Sequence, residues 1–263
     1  MNISILAYHK VDFQSEWGIN TVSPRLFEKQ VKFLADNNFS SISLIDYIKK
    51  RIIYDKPVIF TFDDSYNSIY KYAFPILNKY GFKATMFVIS EFVGKSNLWD
   101  VNLGRKKSRH LNWNEIVQLM NSGWEIGSHT ATHPDLTRLT QNELLHELSF
   151  SKEKLEQKLS IPINVISYPF NRFNIDTIQA VRVAGYKGGC CLSANKSIPQ
   201  KFYKFTIPRK GVYSIDKFFW FKLKLNNKYV SSVDDLKQKI ICTCAKGTVY
   251  YKQLKKIKKN IAI

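Results

Sequence analysis

Short apolar runs and helical stripes alternate along this chain. The runs near 3–8, 39–44, 57–63, 83–89, 124–128, 164–168 and 186–192 predict buried strands. Between most of them, apolar residues recur at helical spacing over 24–37, 67–80, 113–121, 140–159 and 174–184. Phe27, Val31 and Leu34 share one face of the first helix, and Leu144, Leu148, Leu155 and Leu159 share a face of the fourth. Local signals set the ends. Ser23-Pro24 supplies an N-cap and a proline in the first turn, Thr140 and Glu143 form a capping box, and Gly81 and Gly185 close two helices. Strand and helix alternating at this spacing predict an α/β fold, a distorted (β/α) barrel with about seven parallel strands.

The chain has 263 residues, 44% of them hydrophobic, enough for one full core. The expected division is a barrel over 1–215 and a short, basic, aromatic-rich appendage over 216–263. No internal repeat, low-complexity tract or phosphate-cradling glycine loop is visible, and Lys187-Gly188-Gly189 reads as a strand entry.

Two motifs end two of the predicted strands. Thr61-Phe62-Asp63-Asp64 closes the run from Pro57, and His129-Thr130-Ala131-Thr132-His133-Pro134 follows Trp124 to Gly127. Pro134 disfavours helix at His133, so the histidines belong to a strand turning into a loop rather than to one helix face. A metal that activates water needs about three nitrogen or oxygen ligands and an open position. Two histidines and one aspartate meet that count and leave one aspartate as a base. Each motif alone has a bland reading, a solvated turn or cap; their joint placement at strand ends points to a metal-dependent hydrolase.

At these residues the chain resembles the polysaccharide deacetylases, carbohydrate esterase family 4, whose first motif is Thr-Phe-Asp-Asp and second His-Ser/Thr-x-x-His-Pro. The resemblance extends through Lys83 to Val88, Gly123 to Gly127 and Ser167-Tyr168-Pro169-Phe170, over roughly residues 1–215. It implies Asp63 as catalytic base, Asp64, His129 and His133 as metal ligands, and a backbone N–H near Phe170 as oxyanion donor. The implied cofactor is a divalent metal, zinc first, with cobalt or nickel as alternatives.

The chain also departs from that family's pattern. The third motif usually carries an arginine where Ser167 stands, no Asp-x-Asp-Trp motif is present, and no histidine follows His146. A protonated histidine must therefore come from His9, His110 or His146. His9 ends the run from Ile3 and belongs at a strand's C-terminal end, and first and last strands of a closed barrel are neighbours. Leu6-Ala7-Tyr8-His9 thus resembles the family's late motif moved by circular permutation, as in the branch acting on poly-N-acetylglucosamine. His146 falls in a predicted helix and His110 in a basic loop, and neither is given a part. Arg209, in Ile-Pro-Arg-Lys-Gly, is the candidate substitute for the missing arginine.

The expected reaction is metal-dependent removal of an N-acetyl group from a glycan or lipid-linked amino sugar of a surface-polysaccharide pathway. The alternatives are an O-acetyl esterase or N-deformylase acting on a lipid-linked sugar, or a catalytically weak glycan-binding member of the fold. The net charge of +19 lies mostly in the tail, where residues 201–263 hold 16 Lys and Arg against 3 Asp. No nucleic-acid module is recognisable, and no such partner is expected. Thr248 to Ile263 reads as a basic amphipathic helix suited to an anionic membrane surface, with Tyr250, Leu254, Ile257 and Ile261 at helical spacing; a solvated lysine-rich face is the alternative. Cys190-Cys191 and Cys242-x-Cys244 do not match structural zinc spacings and are expected as buried or free thiols. With Met1-Asn2 leading straight into a strand, the expected location is cytoplasmic, peripheral at the inner leaflet.

Overall fold

The computed structural model describes residues 3–14, 19–97, 108–192 and 197–225, together with Lys237 and Ile241. The elements in chain order are β1 (Ser4–Tyr8), β2 (Lys10–Val11), β3 (Thr21–Val22), α1 (Pro24–Asp36), β4 (Ser40–Ser41), α2 (Leu44–Ile48), β5 (Pro57–Phe62), α3 (Phe74–Lys79), β6 (Ala84–Val88), α4 (Trp113–Asn121), β7 (Glu125–Ser128), α5 (Gln141–Leu159), β8 (Val165–Ser167), α6 (Ile175–Val183), β9 (Gly188–Cys191), β10 (Ile207–Pro208), β11 (Lys210–Gly211) and α7 (Phe218–Leu225). The helix proposed for Thr248 to Ile263, and Cys242 and Cys244, lie outside the described residues.

The main sheet is parallel and runs β10-β9-β8-β7-β6-β5-β1-β11, with β4 beside the start of β5. β10 and β11 are halves of one stretch, 207–211, paired with β9 on one side and β1 on the other. That stretch joins the sheet's two ends into a nearly closed α/β barrel. Its strands carry side chains alternately inward and outward. Ile5, Ile59, Phe87, Val165, Cys190 and Ile207 pack together inside, while Leu6, Tyr8, Phe60, Phe62, Met86 and Ile166 meet the apolar stripes of the helices outside. Glycine is required where large residues fill the interior: a Cβ on Gly127 would lie 2.7 Å from the Phe87 ring, and one on Gly188 2.4 Å from Ile48. Cys190 and Cys191 are buried, with their thiols against the backbone carbonyls of Ile166 and Thr206.

Three elements differ from the periodicity, each for a local reason. The strand expected over 39–44 shrinks to Ser40–Ser41, because Ser43 caps α2 by accepting from the Asp46 N–H at 3.1 Å. The helix expected over 67–80 opens as a wide π turn, Ile69–Ala73, where Pro75 offers no N–H for a regular turn. Residues 207–211, not expected as a strand, carry Pro208 in the middle of their pairing. Beyond them α7 docks on the barrel wall, with Lys224 Nζ donating to the Gly211 carbonyl at 2.9 Å and Ser4 Oγ to the Lys224 carbonyl at 3.1 Å.

α2 closes the N-terminal end of the barrel through a half-buried carboxylate. Glu125 accepts from the Leu44 N–H at 2.8 Å, the Ile45 N–H at 3.1 Å and the Thr85 hydroxyl at 2.6 Å. Burial raises its carboxyl from 4.5 to about 7, against the pull of those three donors. The folded protein therefore keeps a proton that the unfolded chain has lost. The stability linked to it is complete below pH 4.5 and falls as pH rises through about 7. Urea unfolding on either side of that window should show the wild type losing roughly 3 kcal/mol more than Glu125→Gln. Parallel losses would mean that the folded state does not hold the proton.

Candidate active site

The interior face of the ring turns polar where its strands end. Asp63 continues β5 by one residue, donating its N–H to the Tyr8 carbonyl at 3.0 Å, so its side chain stays on the inward face. The chain then turns out through Asp64 and Ser65, at φ of 68° and 51°. Left-handed backbone at a non-glycine residue costs about 1–2 kcal/mol. His129 likewise extends β7, its N–H on the Val88 carbonyl at 2.8 Å, before a loop with Thr130 at 68° and His133 at 60°. Glu147 of α5 pins that loop by accepting from the N–H groups of Ala131 at 3.0 Å and Thr132 at 2.9 Å, and from the Thr132 hydroxyl.

These turns bring Asp64, His129 and His133 together. An Asp64 oxygen lies 3.3 Å from His129 Nε2 and 3.5 Å from His133 Nε2, and all three side chains are buried. One ligand atom from each falls within 4.8 Å of the others. The donor set fits a divalent ion: one carboxylate oxygen and two imidazole nitrogens, with His129 Nδ1 donating to the Ser167 carbonyl at 2.8 Å and so leaving Nε2 as the lone-pair face. Burial would raise the Asp64 carboxyl, but the facing imidazoles hold it well below the usual carboxylate range.

Asp63 is committed elsewhere. Arg209, standing between β10 and β11, points into the barrel and grips both its oxygens, Nη1 to Oδ1 at 2.8 Å and Nη2 to Oδ2 at 2.7 Å. The same guanidinium donates to the Thr61 hydroxyl at 2.9 Å and the Ser167 hydroxyl at 2.8 Å, and lies over the Phe87 ring. Burial would raise the Asp63 carboxyl; Arg209, with smaller contributions from His129 and His9, overrides this and keeps it below its usual value. The arginine absent at Ser167 therefore has a counterpart arriving from the closing strand, and the small serine leaves it room.

His9 follows β1 directly, half-buried, close enough to both aspartates to act on their carboxyls electrostatically. Its Nδ1 is buried and makes no hydrogen bond among the described residues. Phe170 sits at φ 55° with its ring edge-on to His133, centroids 4.5 Å apart, so its backbone is at the same mouth. His146 is on the exposed side of α5, against Phe150. The structure thus gathers Asp63, Asp64, His129, His133, His9, Arg209 and Phe170 at the C-terminal end of one parallel barrel and leaves His146 outside. Sequence reasoning missed Thr61, Glu147 and His110, whose Nδ1 lies 2.7 Å from the Asp64 carbonyl oxygen. Thr61 was open to discovery, since it occupies the inward position before Asp63; the other two act through backbone groups and leave no pattern.

The polysaccharide deacetylase family model matches residues 52–189. The chain belongs to the polysaccharide deacetylase family. YxkH of Bacillus subtilis (strain 168) is 31% identical over 193 residues, which cover 71% of this chain and 63% of YxkH. The poly-β-1,6-N-acetyl-D-glucosamine N-deacetylase of Staphylococcus aureus (strain MRSA252) is 28% identical over 201 residues, covering 72% of this chain and 67% of that one. Among solved structures, the Streptococcus pyogenes deacetylase PplD in complex with acetate superposes with a TM-score of 0.72 at 25% identity, covering 85% of this chain and 97% of PplD.

In this polysaccharide deacetylase family member, Asp63 and Arg209 are both buried, so removing one strands the other. Arg209→Ala should lower the unfolding free energy by about 3–5 kcal/mol in denaturant titration, and Arg209→Lys by less, since lysine keeps the charge but not the fork. A loss near zero for Arg209→Ala would show that the pair does not hold Asp63.

Proposed function

We propose that this chain is a metal-dependent N-deacetylase acting on a poly-N-acetylglucosamine-type glycan or a lipid-linked amino sugar. The observation that carries this reading is the division of labour between adjacent aspartates: Asp64 is grouped with two imidazoles, while Asp63 is held by Arg209. The substrate class is supported by the name of the S. aureus relative. Asp64, His129 and His133 would hold the ion. A divalent ion there supplies Lewis acidity, lowering the pKa of water and polarising a carbonyl oxygen.

The chain's own groups supply the rest. Asp63, kept ionised and fixed by the Arg209 fork, accepts the proton of the attacking water. The Phe170 backbone N–H faces the oxygen that gains negative charge as the acetyl carbon becomes tetrahedral. His9 as imidazolium then gives a proton to the sugar nitrogen as the C–N bond breaks, releasing acetate and a free amine. Arg209 and Ser167 keep the Asp63 carboxylate from rotating between the two transfers.

The first test separates ligand from base. Asp63→Asn should retain zinc in metal analysis while acetate release falls by about 100-fold or more, and Asp64→Ala should lose both. Equal metal loss in the two variants would refute the division. A parallel screen on N-acetylated, O-acetylated and N-formylated sugars decides among the acyl groups, and glycan affinity without turnover would mark a binding member of the fold.

A second test addresses His9. Its replacement by alanine should leave bound metal unchanged and cut turnover of N-acetyl substrates by about 100-fold or more, while activated esters, whose leaving groups need no proton, lose far less. A uniform loss on both substrate types would assign His9 a structural role.

A further inference from the structure

The turn that presents Asp64 is held by a strap from a distant part of the chain. Residues 109–111 run antiparallel to it. Leu111 donates its N–H to the Ser65 carbonyl at 2.8 Å, and the Arg109 carbonyl accepts from the Asn67 N–H at 2.8 Å. Between these backbone bonds lies the His110 side chain, with no exposed surface, its Nδ1 2.7 Å from the Asp64 carbonyl oxygen. A carbonyl only accepts, so Nδ1 carries the proton. The ring's attitude is set on two sides: it stacks on Tyr66 at 5.0 Å and 19°, and Phe92 lies tilted at 5.7 Å. Tyr66 in turn accepts from Asn97 Nδ2 at 2.9 Å, and the His110 N–H is anchored on the Lys95 carbonyl at 2.9 Å.

The carbonyl that His110 engages belongs to a residue at φ 68°, followed by another at 51°. Two consecutive left-handed residues without glycine persist only where their surroundings over-determine them. Were Asp64 to relax, its carbonyl and its side chain would rotate together, and the carboxylate would leave His129 and His133. We propose that His110 is a positioning residue for the metal site, its Nδ1–H holding the Asp64 carbonyl so that the carboxylate stays aimed at the two imidazoles. This rests on the reading of Asp64, His129 and His133 as metal ligands. His110 acts through the Asp64 backbone and is not one of the three grouped ligands.

Two substitutions separate the hydrogen bond from the packing. His110→Phe keeps a ring to stack on Tyr66 and removes the donor. His110→Asn gives up the ring and keeps an N–H at the place of Nδ1. Affinity for Zn2+, measured by competition with a chromophoric chelator, should fall about 10- to 100-fold in His110→Phe and recover largely in His110→Asn, with both folded by circular dichroism. The absorption bands of Co2+, which report ligand geometry, should shift in the phenylalanine variant and return toward wild type in the asparagine one. Wild-type affinity in His110→Phe, or a larger loss in His110→Asn than in His110→Phe, would overturn the proposal. Asp64→Ala serves as the reference: if it binds Zn2+ as tightly as wild type, the metal-site reading fails and this proposal with it, whereas tight binding in His110→Phe alone overturns only the positioning role.

Discussion

The two-pronged contact between Arg209 and Asp63 is the interaction on which the rest of the site depends. Two adjacent carboxylates at one barrel mouth repel each other and would compete for the same cation. Arg209 removes one from that competition. A buried ion pair stabilises only when its geometry is good and its remaining polar atoms are satisfied. Here both Asp63 oxygens are taken by the fork, Thr61 and Ser167 take further donors of the guanidinium, and Phe87 covers its face, so that among the guanidinium nitrogens Nε alone has no partner among the described residues. Asp64, one residue on and turned the other way, is left to His129 and His133.

That pair exists because the ring closes. Residues 207–211 join β9 to β1, and the inward position between β10 and β11 brings Arg209 within reach of Asp63 at the end of β5. The closing stretch is short and interrupted by Pro208, so it is braced from outside: α7 caps the Gly211 carbonyl through Lys224, and the Arg209 N–H bonds the Cys191 carbonyl at 2.8 Å. At the mouth, left-handed residues recur at Asp64 and Ser65, Thr130 and His133, and Phe170 and Asn171. Strained backbone of this kind concentrates at functional sites when the scaffold around it is rigid. The barrel supplies that scaffold through Glu147 on one loop and residues 109–111 on another.

Much of this was legible in the sequence, and the remainder was hidden for identifiable reasons. The apolar runs ending in Thr61-Phe62-Asp63-Asp64 and preceding His129 mark strands whose ends carry chemistry, and the capping signals at Ser23 and Thr140 fix two helices where they are found. The stretch 207–211 was not legible as a strand, because a proline in so short a run argues against pairing, yet Arg209 stood out once Ser167 left its place empty. The contact between Arg209 and Asp63 spans 146 residues of sequence, and no local pattern encodes it. Ser43 and Asp46 did carry the spacing of a helix cap, masked by the apolar residues around them. His110 acts on a backbone carbonyl, which any residue possesses, so its partner is invisible in composition or spacing.

Arg209 sorts the two aspartates, leaving Asp64 alone to join the histidines. Anomalous diffraction at the zinc absorption edge from crystals grown with Zn2+ tests it directly. One peak is expected within about 2.0–2.2 Å of an Asp64 oxygen and of a ring nitrogen of both His129 and His133, with Asp63 still gripped by Arg209 and outside the coordination sphere. A zinc ion bound by Asp63, or one lying away from the two histidines, would contradict it.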